Sequence, residues 1–211
     1  MKADDLNEKS TIFNRKIATG KIELNKDELL KILGQIDEEL GREGLSATAI
    51  VYGSCAMMLH GYDTRSTTDI DYVVTGIPMA DYSRVIDRVV KNSNPPFHRS
   101  LFDITMGPLI YTHFIKNDLE VMFDFKNLKI MVATPKQLLA MKLFSARLGE
   151  GFHDLKDAVY LAKKVRISTF SQLKGLLLLY VKFESVDKAN KNPNNPGYID
   201  NFISMVEKEL V

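Results

Sequence analysis

The stretch Ser46–Val74, SATAIVYGSCAMMLHGYDTRSTTDIDYVV, decides how the chain is read. Residues 46–52 are small and β-branched and fit a buried strand that runs directly into Gly53-Ser54. Residues 55–62 are apolar on most sides, the composition of a short buried helix. Asp63–Thr68 is wholly polar and reads as a loop, and Asp69–Val74 reads as a second strand. Side chains two apart on a strand point the same way, so Asp69 and Asp71 are expected to present both carboxylates to one side while Ile70 enters the core.

Two carboxylates at a strand end suit a hard cation. Mg²⁺ takes oxygen ligands and completes its shell with waters and substrate phosphates, and a third carboxylate would permit a two-metal site. The expected donors of that third group are Glu120 and Asp124, on a strand at 119–125 whose Leu119, Val121, Phe123 and Phe125 alternate with Glu120, Met122 and Asp124. Gly53-Ser54 suits a phosphate for a separate reason. A strand turning into a helix exposes unpaired N–H groups, glycine permits close approach, and Ser54 can cap the helix or bond a phosphate oxygen. Taken singly, each motif also has an ordinary reading: a strand followed by Gly-Ser is common, and Asp-x-Asp can cap a turn. Their joint spacing is what carries information.

Further out, Leu29, Leu30, Ile32, Leu33, Ile36 and Leu40 fall at helical spacing over residues 26–42, and Val85, Ile86, Val89 and Val90 do so over 79–92. Two β-like stretches follow near 100–106 and 109–115. Thr134-Pro135-Lys136-Gln137 combines an N-cap, a first-turn proline and a capping-box glutamine, which starts a helix running to about Gly149. Helices are expected over 152–165 and 169–182, and a last one after the Asn192–Gly197 breaker cluster. The pattern is α+β: a mixed sheet flanked by helices over residues 1–132, and a helical C-terminal portion over 133–211. Lys142 has Leu138, Leu139, Ser145 and Ala146 as helical neighbours, so its ammonium must reach water or meet an anion. Asp154 and Asp157 share a face at a helix start, where a cap and a salt bridge to Lys142 or Arg147 are expected.

Gly53-Ser54, His60-Gly61 and Arg65-x-Thr67-x-Asp69-Ile70-Asp71 together resemble the nucleotidyltransferase superfamily that includes DNA polymerase beta. Lys142-Leu143-Phe144-Ser145-Ala146 and Asp154-Leu155-Lys156-Asp157 are similar to the motifs of AbiEii-type toxin nucleotidyltransferases. The likeness spans roughly residues 46–165. It implies a nucleotidyltransferase-like fold, with metal held by Asp69 and Asp71 and the triphosphate held by Gly53 and Ser54. It also implies a nucleotide contact from Lys142 and a third carboxylate on a later strand, where Glu120 fits best. Arg65 and Thr67 are expected to brace the loop before the carboxylates or to contact substrate. The expected activity is Mg²⁺-dependent transfer of NMP from a nucleoside triphosphate to RNA, protein or a small molecule, as a toxin with a cognate antitoxin where the narrower likeness holds. The rival is a non-catalytic module binding a nucleotide or partner on the same scaffold.

Composition narrows the partners. In 211 residues, 28 Lys and Arg face 27 Asp and Glu for a net charge of +1, so no molecule-wide field draws the chain onto nucleic acid or an anionic membrane. Cys55 is the only cysteine, which excludes an internal disulfide and points to a reducing compartment. The polar start, MKADDLNEKS, and the short Leu176–Val181 apolar run lead us to expect a cytoplasmic protein with no membrane partner. His60, His98, His113 and His153 lack metal-ligand spacing.

Overall fold

A computed structural model describes residues 23–62, 66–93, 99–103, 112–147 and 153–211. The first helix, α1 (Lys26–Arg42), is started by a reciprocal cap. The Asn25 side chain accepts from the Glu28 N–H at 2.9 Å, and the Glu28 carboxylate accepts from the Asn25 N–H at 2.9 Å. Its apolar stripe, Leu29, Ile32, Leu33, Ile36 and Leu40, is buried. Then come β1 (Ala47–Val51), α2 (Gly53–Leu59), β2 (Ile70–Thr75) and α3 (Met79–Asn92), which packs against α1. A single 3₁₀ turn at Arg99–Leu101 leads into β3 (Phe102–Asp103), and β4 (Leu119–Asp124) and β5 (Leu128–Ala133) close the sheet.

The sheet order is β3-β2-β1-β5-β4. β1 runs antiparallel to β2 and parallel to β5, while β2 is parallel to β3 and β4 antiparallel to β5. The sheet is therefore mixed. β1 sits at its centre, and Ala47, Ala49, Ile50 and Val51 are buried, as a strand covered on both faces requires. The β4–β5 turn is fastened to α1, because the Asn127 N–H donates to Asp37 Oδ1 at 2.6 Å and its carboxamide donates to the Asp37 carbonyl at 3.2 Å.

The C-terminal helices are α4 (Pro135–Ser145), α5 (Asp154–Val165), α6 (Phe170–Tyr180), α7 (Phe183–Asn190) and α8 (Tyr198–Lys208). Thr134 and Thr169 cap α4 and α6. α4 packs on α2, and α8 packs across α5, α6 and α7. Ile199, Phe202, Ile203 and Val206 fill the centre of this layer.

Three elements differ from the sequence reading. β5 lies where no strand is expected, and α7 forms where the chain reads as a simple connection. Of the β-like stretch at 109–115, the described part is helical at 112–113 and carries a single bridge, Phe114 to Val181. Residues 104–111, the loop position of Arg65 and the turn at 148–152 lie outside the described residues. No helix among the described residues is long and apolar enough to cross a membrane.

Candidate active site

The end of β1 and the start of β2 are tied together where the chain turns into α2. The Tyr52 N–H donates to the Asp71 carbonyl at 2.9 Å, and Gly53 opens α2 with φ +59°. A Cβ built at position 53 would stand 2.2 Å from Asp71 Oδ2, closer than any real contact, so the backbone of Gly53 lies directly against that carboxylate. Asp69 sits one residue before β2. Its Oδ1 accepts from the Thr67 hydroxyl at 2.8 Å, and its carbonyl accepts from the Cys55 thiol at 3.4 Å. Thr67 is itself fixed, with its N–H and carbonyl bridging to Leu24 ahead of α1. Burial pushes the Cys55 thiol well above its ordinary pKa, and the charges of Asp71 and Asp69 push it further, so it stays protonated. Both carboxylates therefore act on the first turn of α2, where Ser54 lies half-buried.

The expected third carboxylate is elsewhere. β4 is separated from β2 by β1 and β5. Glu120 is in register with Val132, Val132 with Val51, and Val51 with Tyr72. Three strand spacings put its backbone about 14 Å from β2. Glu120 Oε1 instead lies 3.2 Å from His60 Nδ1, and Asp124 Oδ2 lies 3.8 Å from Lys129 Nζ across the hairpin. The structure thus does not bring Glu120 or Asp124 to Asp69 and Asp71. The residue in register with Asp71 on its parallel neighbour is Asp103. A signal for it exists in the sequence: Phe102-Asp103-Ile104 sets an acid between two apolar residues, as Ile70-Asp71-Tyr72 does. Among the described residues no three His, Cys, Asp or Glu side chains form a metal-binding group.

Lys142 also departs from the expectation of a nucleotide contact. From α4 its Nζ reaches Asp154 Oδ1 at 2.6 Å and Asp157 Oδ2 at 2.8 Å, and the three side chains are 13, 4 and 1% exposed. The Arg147 N–H and Nε add donors to Asp154 Oδ2 at 2.8 and 3.2 Å. Burial alone would raise the Asp154 carboxyl, but the Lys142 charge and hydrogen bond, with Arg147, outweigh it and hold it below its ordinary value. The ammonium is neutralised inside the helical layer. Its physical role there is to dock α5 onto α4.

Two carboxylates with hard oxygen donors, that of Asp71 pressed against a glycine turn that leaves room for no side chain and that of Asp69 fixed by Thr67, fit a small oxygen-coordinated cation such as Mg²⁺. A mixed sheet in which a strand-Gly-Ser-helix turn faces such a pair is the arrangement of a nucleotidyltransferase-like protein. The chain belongs to the family described as nucleotidyltransferase of unknown function (DUF6036), whose model matches residues 27–174 and so takes in the carboxylate pair and most of the helices around Lys142. No curated protein matches it. A solved structure described as an antigenic nucleotidyltransferase-like protein from Paracoccidioides brasiliensis aligns at 13% identity and a TM-score of 0.45, covering 87% of this chain and 95% of that one.

Proposed function

We propose that the protein is a Mg²⁺-dependent nucleotidyltransferase. An acceptor oxygen attacks the α-phosphorus of a bound nucleoside triphosphate, the bond to the β-phosphate oxygen breaks, pyrophosphate leaves, and the acceptor loses its proton. The observation that carries this reading is the seating of Asp71 against Gly53, with Asp69 fixed by Thr67 beside the same turn. Asp69 and Asp71 would hold Mg²⁺, with Asp103 in register beside Asp71 as the third carboxylate in place of Glu120 or Asp124. Mg²⁺, when bound, supplies charge neutralisation at the transferred phosphoryl group. The protein's own contribution is placement. Thr67 orients the Asp69 carboxylate, and Gly53 keeps side chains out of the space in front of Asp71. Ser54 and the first N–H groups of α2, which opens without a side-chain cap, face the triphosphate.

The acceptor class, RNA, protein or small molecule, is open in this reading. The toxin role and a cognate antitoxin rest on the likeness of Lys142 and Asp154-x-x-Asp157 to AbiEii-type enzymes, and a small neighbouring gene whose product suppresses toxicity would support them. The activity itself is tested by titrating labelled ATP, GTP, CTP and UTP with and without Mg²⁺. At least one is expected to bind only with the metal. Asp71→Asn and Asp103→Asn should each weaken that binding at least tenfold, while Glu120→Gln leaves it unchanged. Binding of no nucleotide in a metal-dependent way, or loss in Glu120→Gln with retention in Asp103→Asn, sinks the assignment.

A further inference from the structure

We propose that an open cavity of about 380 Å³, running along α6 beside the first turn of α4, binds a small amphipathic anion, an apolar body bearing one carboxylate or phosphate group. The volume is that of a small-ligand site. Its apolar wall is Ile167, Leu176 and Leu179, and Leu179 is 60% exposed. Gly175 lies on the same lining, and a Cβ there would meet nothing within 4 Å. That part of the helix surface is open.

The polar side of the lining selects the sign of the ligand. Lys116 and Lys136 contribute two ammonium groups, and neither is ion-paired among the described residues. The Lys116 ammonium is held over the Tyr180 ring, with its Nζ 4.2 Å from the ring centre. Asp118 is the single acid of the lining, and it is already engaged: its Oδ2 accepts from the Tyr180 hydroxyl at 2.7 Å. Burial, then that hydrogen bond and the Asp118 charge, push the Tyr180 hydroxyl up to about 12, so it remains a donor to Asp118 across the physiological range. Gln172 uses its carbonyl oxygen to cap Ser168 and Thr169 at 3.1 and 3.3 Å, which leaves its NH₂ as a further donor beside the cavity. Lys136 lies in the first turn of α4, where the backbone dipole adds positive potential. Two cations and a spare amide donor outweigh one carboxylate that Tyr180 already engages. An apolar molecule with an anionic head fits both halves of the site.

The cavity shares no lining residue with the carboxylate pair, so this inference stands or falls separately from nucleotidyl transfer. The probe is 8-anilinonaphthalene-1-sulfonate, an aromatic body with one anionic group, followed by fluorescence on the full chain. Saturable binding of one equivalent is expected, weakening with salt. Octanoate and octyl phosphate should displace it, their relative potency telling which head group is preferred, and octylammonium should not. Gly175→Phe, or the smaller Gly175→Leu, fills the open space and should weaken binding at least tenfold while keeping the native circular dichroism, since both replacements suit a helix better than glycine. The Lys116→Gln/Lys136→Gln double variant should weaken it at least tenfold and abolish the salt dependence. Asp71→Asn should leave it unchanged. No saturable binding, equal displacement by octylammonium, or full affinity in folded Gly175→Phe and Gly175→Leu would overturn the proposal.

Discussion

Gly53 has two separable reasons to be glycine. Its φ of +59° is a left-handed conformation that costs an L residue about 1–2 kcal/mol, and the space a Cβ would take is occupied by Asp71 Oδ2. Gly61 provides the comparison, since it also has a positive φ, +91°, but a Cβ there meets nothing within 4 Å. Alanine at Gly61 should lower stability by roughly 1–2 kcal/mol in urea titrations, and alanine at Gly53 by more, since it also meets Asp71. Only Gly53→Ala should also displace Asp71 and weaken Mn²⁺ binding, used as a paramagnetic substitute for Mg²⁺, by at least tenfold. Equal metal affinity in the two variants would mean that the glycine serves the turn alone. At this scale the sequence was informative where chemistry is local. The Gly-Ser turn and the Asp-Ile-Asp spacing lie within one strand-helix-strand segment, so their pairing follows from chain order. The position in register with Asp71, Asp103, has no such local pairing signal, because its strand has only two described residues and its place depends on which edge of the sheet it joins. Glu120 lies in a longer, clearly alternating strand, but alternation says nothing about strand order.

The elements best read from sequence are those with their own start and stop signals. α1, with its Asn25 cap, and α3, with its stripe of Val85, Ile86 and Val89, stand at the residues where periodicity puts them. β5 was missed because Leu128–Ala133 is hydrophobic almost throughout and immediately precedes a strong helix signal, so a central strand reads as the approach to that helix. α7 has no separate start in the sequence, because the break at Val181 is imposed by tertiary pairing with Phe114 and has no local signature. The contact between α4 and α5 is a different case, because a helical pattern shows the face and not the partner. Here Lys142, Asp154 and Asp157 form a buried cluster, and its behaviour with pH can be worked out. The folded-state pKa of Asp154 is lowered. Its contribution is therefore present in full above the unfolded carboxylate value and is lost as pH falls through the lower folded one. Urea midpoints measured from pH 7 downward should fall steeply only below the ordinary carboxylate range. Asp154→Asn should cost about 1.5–3 kcal/mol at pH 7, because it weakens the charged hydrogen bonds from Lys142 and Arg147 while Asp157 still pairs Lys142, and should flatten that acid limb. An acid limb of unchanged steepness in Asp154→Asn would assign the pH dependence to other carboxylates.

At the scale of the whole molecule, the question is whether sheet and helical layer unfold together. A chain of partly buried polar contacts joins them. The Asn117 carboxamide donates to the Tyr52 hydroxyl at 2.9 Å, and Gln137 Nε2 donates to Asn117 Oδ1 at 2.7 Å. The Asp118 N–H donates to Gln137 Oε1, and the Tyr180 hydroxyl donates to Asp118. These links run from the residue before Gly53 to the last residue of α6, through a glutamine at the start of α4 that is 0% exposed. Neither composition nor periodicity marks such a chain, because each member looks like an ordinary loop or capping residue until the fold brings them together. Apolar packing of α2 on α4 adds to the polar connection. The expected consequence is one cooperative transition, in which far-ultraviolet circular dichroism, dominated by the helices, and tyrosine fluorescence give the same urea midpoint in a chain without tryptophan. Gln137→Leu keeps the bulk of the side chain and leaves the Asp118 N–H and the Asn117 carbonyl oxygen without this partner, so it should cost about 1–3 kcal/mol. Both probes should shift by the same amount. If they separate, with circular dichroism holding its midpoint while fluorescence moves, the polar chain is a local brace of the Tyr52 turn. The helical layer would then owe its stability to its own core of Leu173, Leu177, Phe202 and Ile203.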